Sequence, residues 1–197
     1  MALLAYRRRL AERSATIALA LCRLNLNLLA NLQQHRGMNS ALLAGDLAFV
    51  RPLARKGEEI DLLLLRLDGF MVRGQWLGRA FLPATEIAQF LARWRRLQAN
   101  LSILSAEESL AQHGLLITQL LKWLALLSEQ RIEAAGSGLE ALRLRNYLQR
   151  LPALSEFLGQ TRALGTRVAA LSRCSAIERV RLMFLVARAE ALLNQLL

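Results

Sequence analysis

The sequence predicts an all-α fold, an up-and-down bundle of about seven to eight helices with no sheet. Three observations carry that expectation. Apolar residues recur three, four and seven positions apart, the period of a helix face, and nowhere alternate every second residue. The chain is 54% apolar but only 6% aromatic, and its apolar content is dominated by Leu and Ala, two of the strongest helix formers. Only 3 prolines occur in 197 residues, so long segments are free of the residue that breaks helices most sharply.

Residues 2–35 form the first expected helix, with Leu10, Ile17, Leu21, Leu24, Leu28 and Leu32 on its apolar face. Arg36-Gly37 interrupts the pattern, and Asn39 or Ser40 is expected to cap a continuation to about residue 50. Pro52 is expected to stop that element. Residues 58–67 read as a short helix ended by Asp68-Gly69, since glycine tolerates the left-handed backbone of a helix end. Residues 70–82 are broken by Gly74 and Gly78. Pro83 opens a helix to about residue 104, in which Trp94 lies among Arg93, Arg95 and Arg96. Ser105-Ala106-Glu107-Glu108 has the form of a capping box, starting a helix to about residue 135 that carries His113 and Trp123. Gly136-Ser137-Gly138 marks a turn. A helix over 139–151 is expected to end at Pro152, and another to run over 152–171. Ser175-Ala176-Ile177-Glu178 is a second capping box and opens a helix to the last residue.

No linker, repeat or shift of composition divides the chain, so one domain over 1–197 is expected, with no separate output domain. The formal net charge is +11, almost all of it arginine, since Lys56 and Lys122 are the only lysines. A basic surface favours acidic partners or nucleic acid. No zinc-finger spacing or aromatic RNA-binding signature accompanies it, which argues against specific nucleic-acid recognition. Cys22 and Cys174 are isolated, as in a reduced intracellular chain. The apolar run at 14–22 is too short for a membrane span, and no later run reaches the roughly 18 uncharged residues a span needs. A soluble, cytoplasmic protein without membrane attachment is the expectation.

Catalytic and metal chemistry have little to stand on. The only histidines, His35 and His113, lie far apart in sequence, neither cysteine sits in a nucleophile motif, and no glycine-rich phosphate loop is present. Neither histidine has a second ligand at helical spacing, so no metal and no cofactor is expected. Glu107-Glu108 reads as a helix start rather than an acid/base pair. The chain is not expected to be an enzyme.

Two polar clusters stand out against the leucine background. In the first, the helix face of Arg36 also carries Leu29, Gln33, Ser40, Leu43 and Leu47. An arginine on a core-facing stripe needs a partner, yet three and four residues away stand only Leu32, Gln33, Asn39 and Ser40. The partner must be a distant acid, a set of carbonyls or a bound anion. In the second cluster, 156–166, Arg162 shares a face with Ser155, Leu158, Gly159, Thr166 and Ala169. Small residues let helices approach closely, so the two faces could pack together. Either arginine could equally be a surface residue whose stem covers leucines.

Leu32-Gln33-x-x-Arg36-Gly37-x-x-Ser40-Ala41, followed by Glu156-x-x-Gly159-Gln160-x-Arg162-Ala163, resembles the nitrate- and nitrite-sensing domain, an all-helical module of bacterial antiterminators, chemoreceptors and sensor kinases. The resemblance spans roughly residues 15–197. It implies that Arg36 and Arg162 hold nitrate or nitrite, with Gln33, His35, Ser40 and Thr166 as further ligand-binding candidates. Two departures are plain: His35 stands where the family often has glutamate, and Asn39 directly precedes the motif serine.

The chemistry fits such a ligand. Nitrate is planar, and a guanidinium fork can donate two parallel N–H bonds to two of its oxygens. Two guanidiniums about 4 Å apart repel by roughly 4 kcal/mol at an effective dielectric near 20, which a bridging anion would reverse. The expectation is a stand-alone oxyanion sensor that relays its state to a protein partner, with a homodimer left open. The alternatives are a helical scaffold that has lost the ligand and a basic RNA-binding regulator.

Overall fold

The structure is a computed structural model and describes residues 2–76, 81–134 and 138–196. Among them all regular structure is helical, as expected. The elements are α1 (Ala2–Leu43), a 3₁₀ turn (Leu47–Phe49), α2 (Val50–Trp76), α3 (Ala84–Asn100), α4 (Ala106–Ala134), α5 (Leu139–Arg145), a π-helical turn (Asn146–Arg150), α6 (Leu151–Leu171) and α7 (Ala176–Leu196). α5, the π turn and α6 run on without a break, so the described residues form six continuous helices rather than seven or eight.

The difference lies at expected breaks that the helices run through or take into their first turn. α1 passes through Arg36-Gly37 without interruption and ends at Leu43, with Gly45 in the turn just beyond at a positive φ of +99° that glycine tolerates. Asn39 and Ser40 cap nothing; instead Asp46 caps the 3₁₀ turn by accepting from the Ala48 N–H at 3.1 Å. Pro52 lies in the first turn of α2 rather than stopping anything, because the N–H it lacks has no helical acceptor there. α2 also runs straight through Asp68-Gly69: Leu53, Ile60, Leu64 and Leu67 are buried along one face. At about 1.5–3 kcal/mol per buried leucine or isoleucine, that burial outweighs the roughly 1 kcal/mol a helical glycine costs. Pro152 does not end a helix either. The π turn before it widens the backbone just where proline can neither donate a hydrogen bond nor clear the preceding turn. Gly74, expected to break 70–82, lies inside α2; Gly78 and most of the expected turn at 136–138 fall outside the described residues.

Other expected starts are in place. Ser105 and Ser175 each donate a backbone N–H to the glutamate three residues on at 2.9 Å, and receive the N–H of that glutamate on the hydroxyl at 3.2 Å.

The core lies among α1 to α4. Leu21, Leu28 and Leu32 of α1 meet Ile60 and Leu67 of α2, Phe90, Trp94 and Leu97 of α3, and Leu116, Ile117, Leu120, Trp123 and Leu124 of α4. Both buried indoles keep their N–H satisfied: Trp94 donates to Asp61 at 2.6 Å and Trp123 to Glu86 at 2.8 Å. Gly57 of α2 faces the Gln98 amide of α3, where a methyl would sit 2.6 Å from the side-chain nitrogen and make it swing aside. α4 is long and apolar enough by composition to cross a membrane, and its buried side packs mainly on α1. α6 and α7 form a hairpin closed by a left-handed Ser172, and α6 touches α1 close to Arg36.

Candidate functional site

Neighbouring residues on α1 open two polar centres, because consecutive helical positions point about 100° apart. Arg36 meets α6. Its Nη1 and Nη2 donate to Oε1 and Oε2 of Glu156 at 2.6 and 3.0 Å, a two-bond fork with both residues buried. Two amides complete the carboxylate: Gln33 donates to Oε2 at 3.0 Å and Gln160 to Oε1 at 2.7 Å. Gly159 makes the approach possible, since a methyl there would lie 3.2 Å from Arg36 Nη2. The distant partner required by Arg36 is thus an acid 120 residues away in sequence.

His35 meets α4 and α3 instead. Its Nδ1 lies 2.8 Å from His113 Nε2, and His113 Nδ1 lies 2.7 Å from the Ser109 carbonyl. A carbonyl only accepts, so His113 carries its proton on Nδ1 and accepts at Nε2 from the Nδ1–H of His35. That leaves the lone pair of His35 Nε2 outermost in the chain of bonds, buried and without a partner among the described residues. His35 also packs edge-on against Trp94, ring centres 5.1 Å apart. Asn39, one turn on, donates to the Ser109 hydroxyl at 2.6 Å, and its own buried Oδ1 is likewise unpartnered. Both imidazoles are neutral. Burial, with His113 alongside, lowers the pKa of His35 to about 3. Burial lowers that of His113 to about 4; the bond to Ser109 opposes the shift and the Arg36 charge adds to it.

The sequence-predicted residues divide between these centres and the surface. Gln33 and Arg36 share Glu156. His35 belongs to the neutral pair with His113. Ser40 donates its hydroxyl to the Arg36 carbonyl at 2.9 Å, a bond within its own helix. Arg162 and Thr166 are exposed on α6 and share no hydrogen bond with Arg36. Sequence reasoning missed Glu156, Gln160 and His113 as site residues. The signal for Glu156 was its place as the sole carboxylate in the second cluster; nothing in the sequence linked His113 to His35.

Among the described residues no group of three or more His, Cys, Asp or Glu could hold a metal ion. At these two centres no hydroxyl faces an unprotonated imidazole nitrogen among the described residues: Ser109 lies 3.3 Å from the His113 nitrogen that carries the proton. What it offers is a buried guanidinium whose fork holds a planar, two-oxygen anion. Comparison of the chain with protein-family models, curated proteins and solved structures finds no significant match.

Proposed function

We propose that the chain is a non-catalytic sensor module that reads a small planar oxyanion, nitrate or nitrite, at Arg36 and relays its state to a partner protein through the α6–α7 hairpin. The observation that supports this most is the fork itself. Arg36 is buried and presents two parallel donors to two coplanar oxygens. Carboxylate, nitrate and nitrite all present such a pair of oxygens, so Glu156 occupies the seat as a built-in ligand. The resemblance of both motifs to the nitrate- and nitrite-sensing domain points the same way.

In this reading the incoming anion competes with Glu156. If it takes the fork, the carboxylate of α6 loses its hold on α1 while Gln160, on its own helix, stays with it. Gln33 can turn its amide to the ligand, and exposed Arg162 and Thr166 lie on the same helix to meet the anion as it enters. An anion shifts the bundle only to the extent that it prefers the released arrangement. That preference is the quantity to measure.

A second reading is favoured by one observation: Glu156 already satisfies Arg36, and Arg162 stays exposed. Here the fork is a fixed clasp and the chain a helical scaffold. Thermal unfolding in nitrate, nitrite, chloride and sulfate at matched ionic strength separates the two. The sensor gains about 2.7 kcal/mol at 100 times the Kd of its ligand, in nitrate or nitrite only, and loses the gain in Arg36→Ala. A scaffold responds to all four salts alike.

A further inference from the structure

α7 carries a surface that the bundle does not use. Leu185 and Ala189 are buried on its inner side, where it packs chiefly on α6. On the outer side Ile177, Val180, Phe184, Ala187 and Ala191 recur at alternating steps of three and four, the spacing of a heptad seam. Ile177 is 82% exposed, Val180 67% and Phe184 59%. The outer face of a surface helix ordinarily carries charge, so a seam of this spacing fits a second helix laid along it.

The surrounding charge selects the occupant. Arg181 and Arg188 stand one heptad apart along one edge of the seam, both exposed. Arg188 also lies over the Phe157 ring at 5.6 Å, which steadies its guanidinium. At its start the seam opens beside a groove of about 520 Å³ lined by Ile177, Arg167, Arg173 and Arg181. Two acids reach that groove, and Glu178 is already committed to Ser175 and to Arg167 at 3.4 Å, leaving Glu107 to face the guanidiniums. A second α7 supplies no counter-charge to this edge. Paired antiparallel, it sets the arginine edge against itself; paired parallel, it offers Met183 to Arg188.

We infer that α7 is a docking helix for an amphipathic helix of a partner protein, apolar along its seam and acidic along the edge that meets Arg181 and Arg188. The inference rests on the relay in the proposed function and gives its partner a chemistry. Its test uses no nitrate or nitrite, so its failure is distinct from failure of the Arg36 seat.

The probe is a labelled three-heptad peptide with Leu at the seam and Glu on both edges, compared with the same peptide carrying Lys for Glu. Anisotropy in about 0.15 M salt should show the Glu peptide bound at least about ten-fold more tightly. Val180→Asp with Phe184→Asp should remove that binding while leaving the thermal midpoint in place, because both side chains are exposed. Arg181→Glu with Arg188→Glu should invert the preference to the Lys peptide. Equal binding of the two peptides overturns the inference. So does light scattering that shows a concentration-dependent dimer abolished by the Val180/Phe184 pair, or binding of anionic phosphatidylglycerol vesicles with none of the Glu peptide.

Discussion

Arg36 and His35 are adjacent in the chain and both buried, yet they solve burial in opposite ways. Arg36 cannot lose its charge, so it is buried with a carboxylate, and two amides complete that carboxylate. His35 can lose its charge and does, keeping one proton on Nδ1 to donate to His113 and leaving Nε2 bare. One centre is ionic, its carboxylate accepting four bonds; the other is neutral and keeps two acceptors, His35 Nε2 and Asn39 Oδ1, unpartnered among the described residues. A buried charge demands full completion, whereas a buried neutral acceptor is tolerated at lower cost. The first centre also spans two parts of the molecule, α1 and the α6–α7 hairpin. The second lies within the α1–α4 core.

This contrast predicts which changes matter. The largest effect is expected from Glu156→Ala, which leaves a guanidinium buried without its counter-charge. Denaturant unfolding should show a loss of about 3–5 kcal/mol. Replacing both partners together, Arg36→Met with Glu156→Leu, should cost far less, because such a pair is close to neutral against an apolar match. Similar losses in the single and the double substitution would erase the distinction between a completed charge and ordinary packing.

The neutral centre should show itself through pH. Both imidazoles have folded pKa values, about 3 and about 4, below the ordinary 6.5. The unfolded chain therefore binds more protons between about pH 4 and 6.5. The stability these groups contribute is complete above 6.5 and is lost as pH falls below it. Together they should remove about 2 kcal/mol between pH 6.5 and 5.5, by the 1.36 kcal/mol per pKa unit that governs each. The measure is the unfolding free energy across that range in wild type and in His35→Leu with His113→Leu, which should flatten the slope.

Two glycines sharpen the comparison at smaller scale. Gly37→Ala adds a methyl into open space and should stabilise by about 0.5–1 kcal/mol, the helical cost of glycine. Gly159→Ala should forfeit that gain, because the methyl meets Arg36 Nη2 at 3.2 Å and the fork leaves that nitrogen nowhere to move. Thermal midpoints of the two variants read the difference. The smallest effect is expected from Glu59→Gln: Glu59 is the exposed end of its pair with the mostly buried Lys56, and Asn31 still accepts from that ammonium at 3.0 Å, so stability should change by about 0.5 kcal/mol or less.

Helix identity was legible in the sequence wherever a face repeated. The leucines of 10–32, the apolar face around Trp94 and Trp123 and both Ser-x-x-Glu starts are local patterns with local causes. Helix ends were less legible. Pro52, Gly69 and Pro152 all carry the chemistry of a stop, yet each lies inside a helix or in its first turn. What overrides them is burial along α2 and the π turn ahead of Pro152, neither of which is a property of neighbouring residues. At the site, the need of Arg36 for a distant partner followed from the absence of an acid within four positions. Which acid answers it depends on how α6 lies against α1. The approach of His35 to His113 depends in the same way on the packing of α1 against α4, across 78 residues.

The seat at Arg36 is tested most directly by refilling it. Glu156→Ala removes the built-in carboxylate and leaves the fork, and its unfolding midpoint is then followed in rising nitrate, nitrite, chloride and sulfate at constant ionic strength. Nitrate and nitrite are predicted to restore the lost stability well ahead of the other two, and to do nothing when Arg36→Ala is added. Equal recovery in chloride, or recovery that persists without Arg36, would contradict the account.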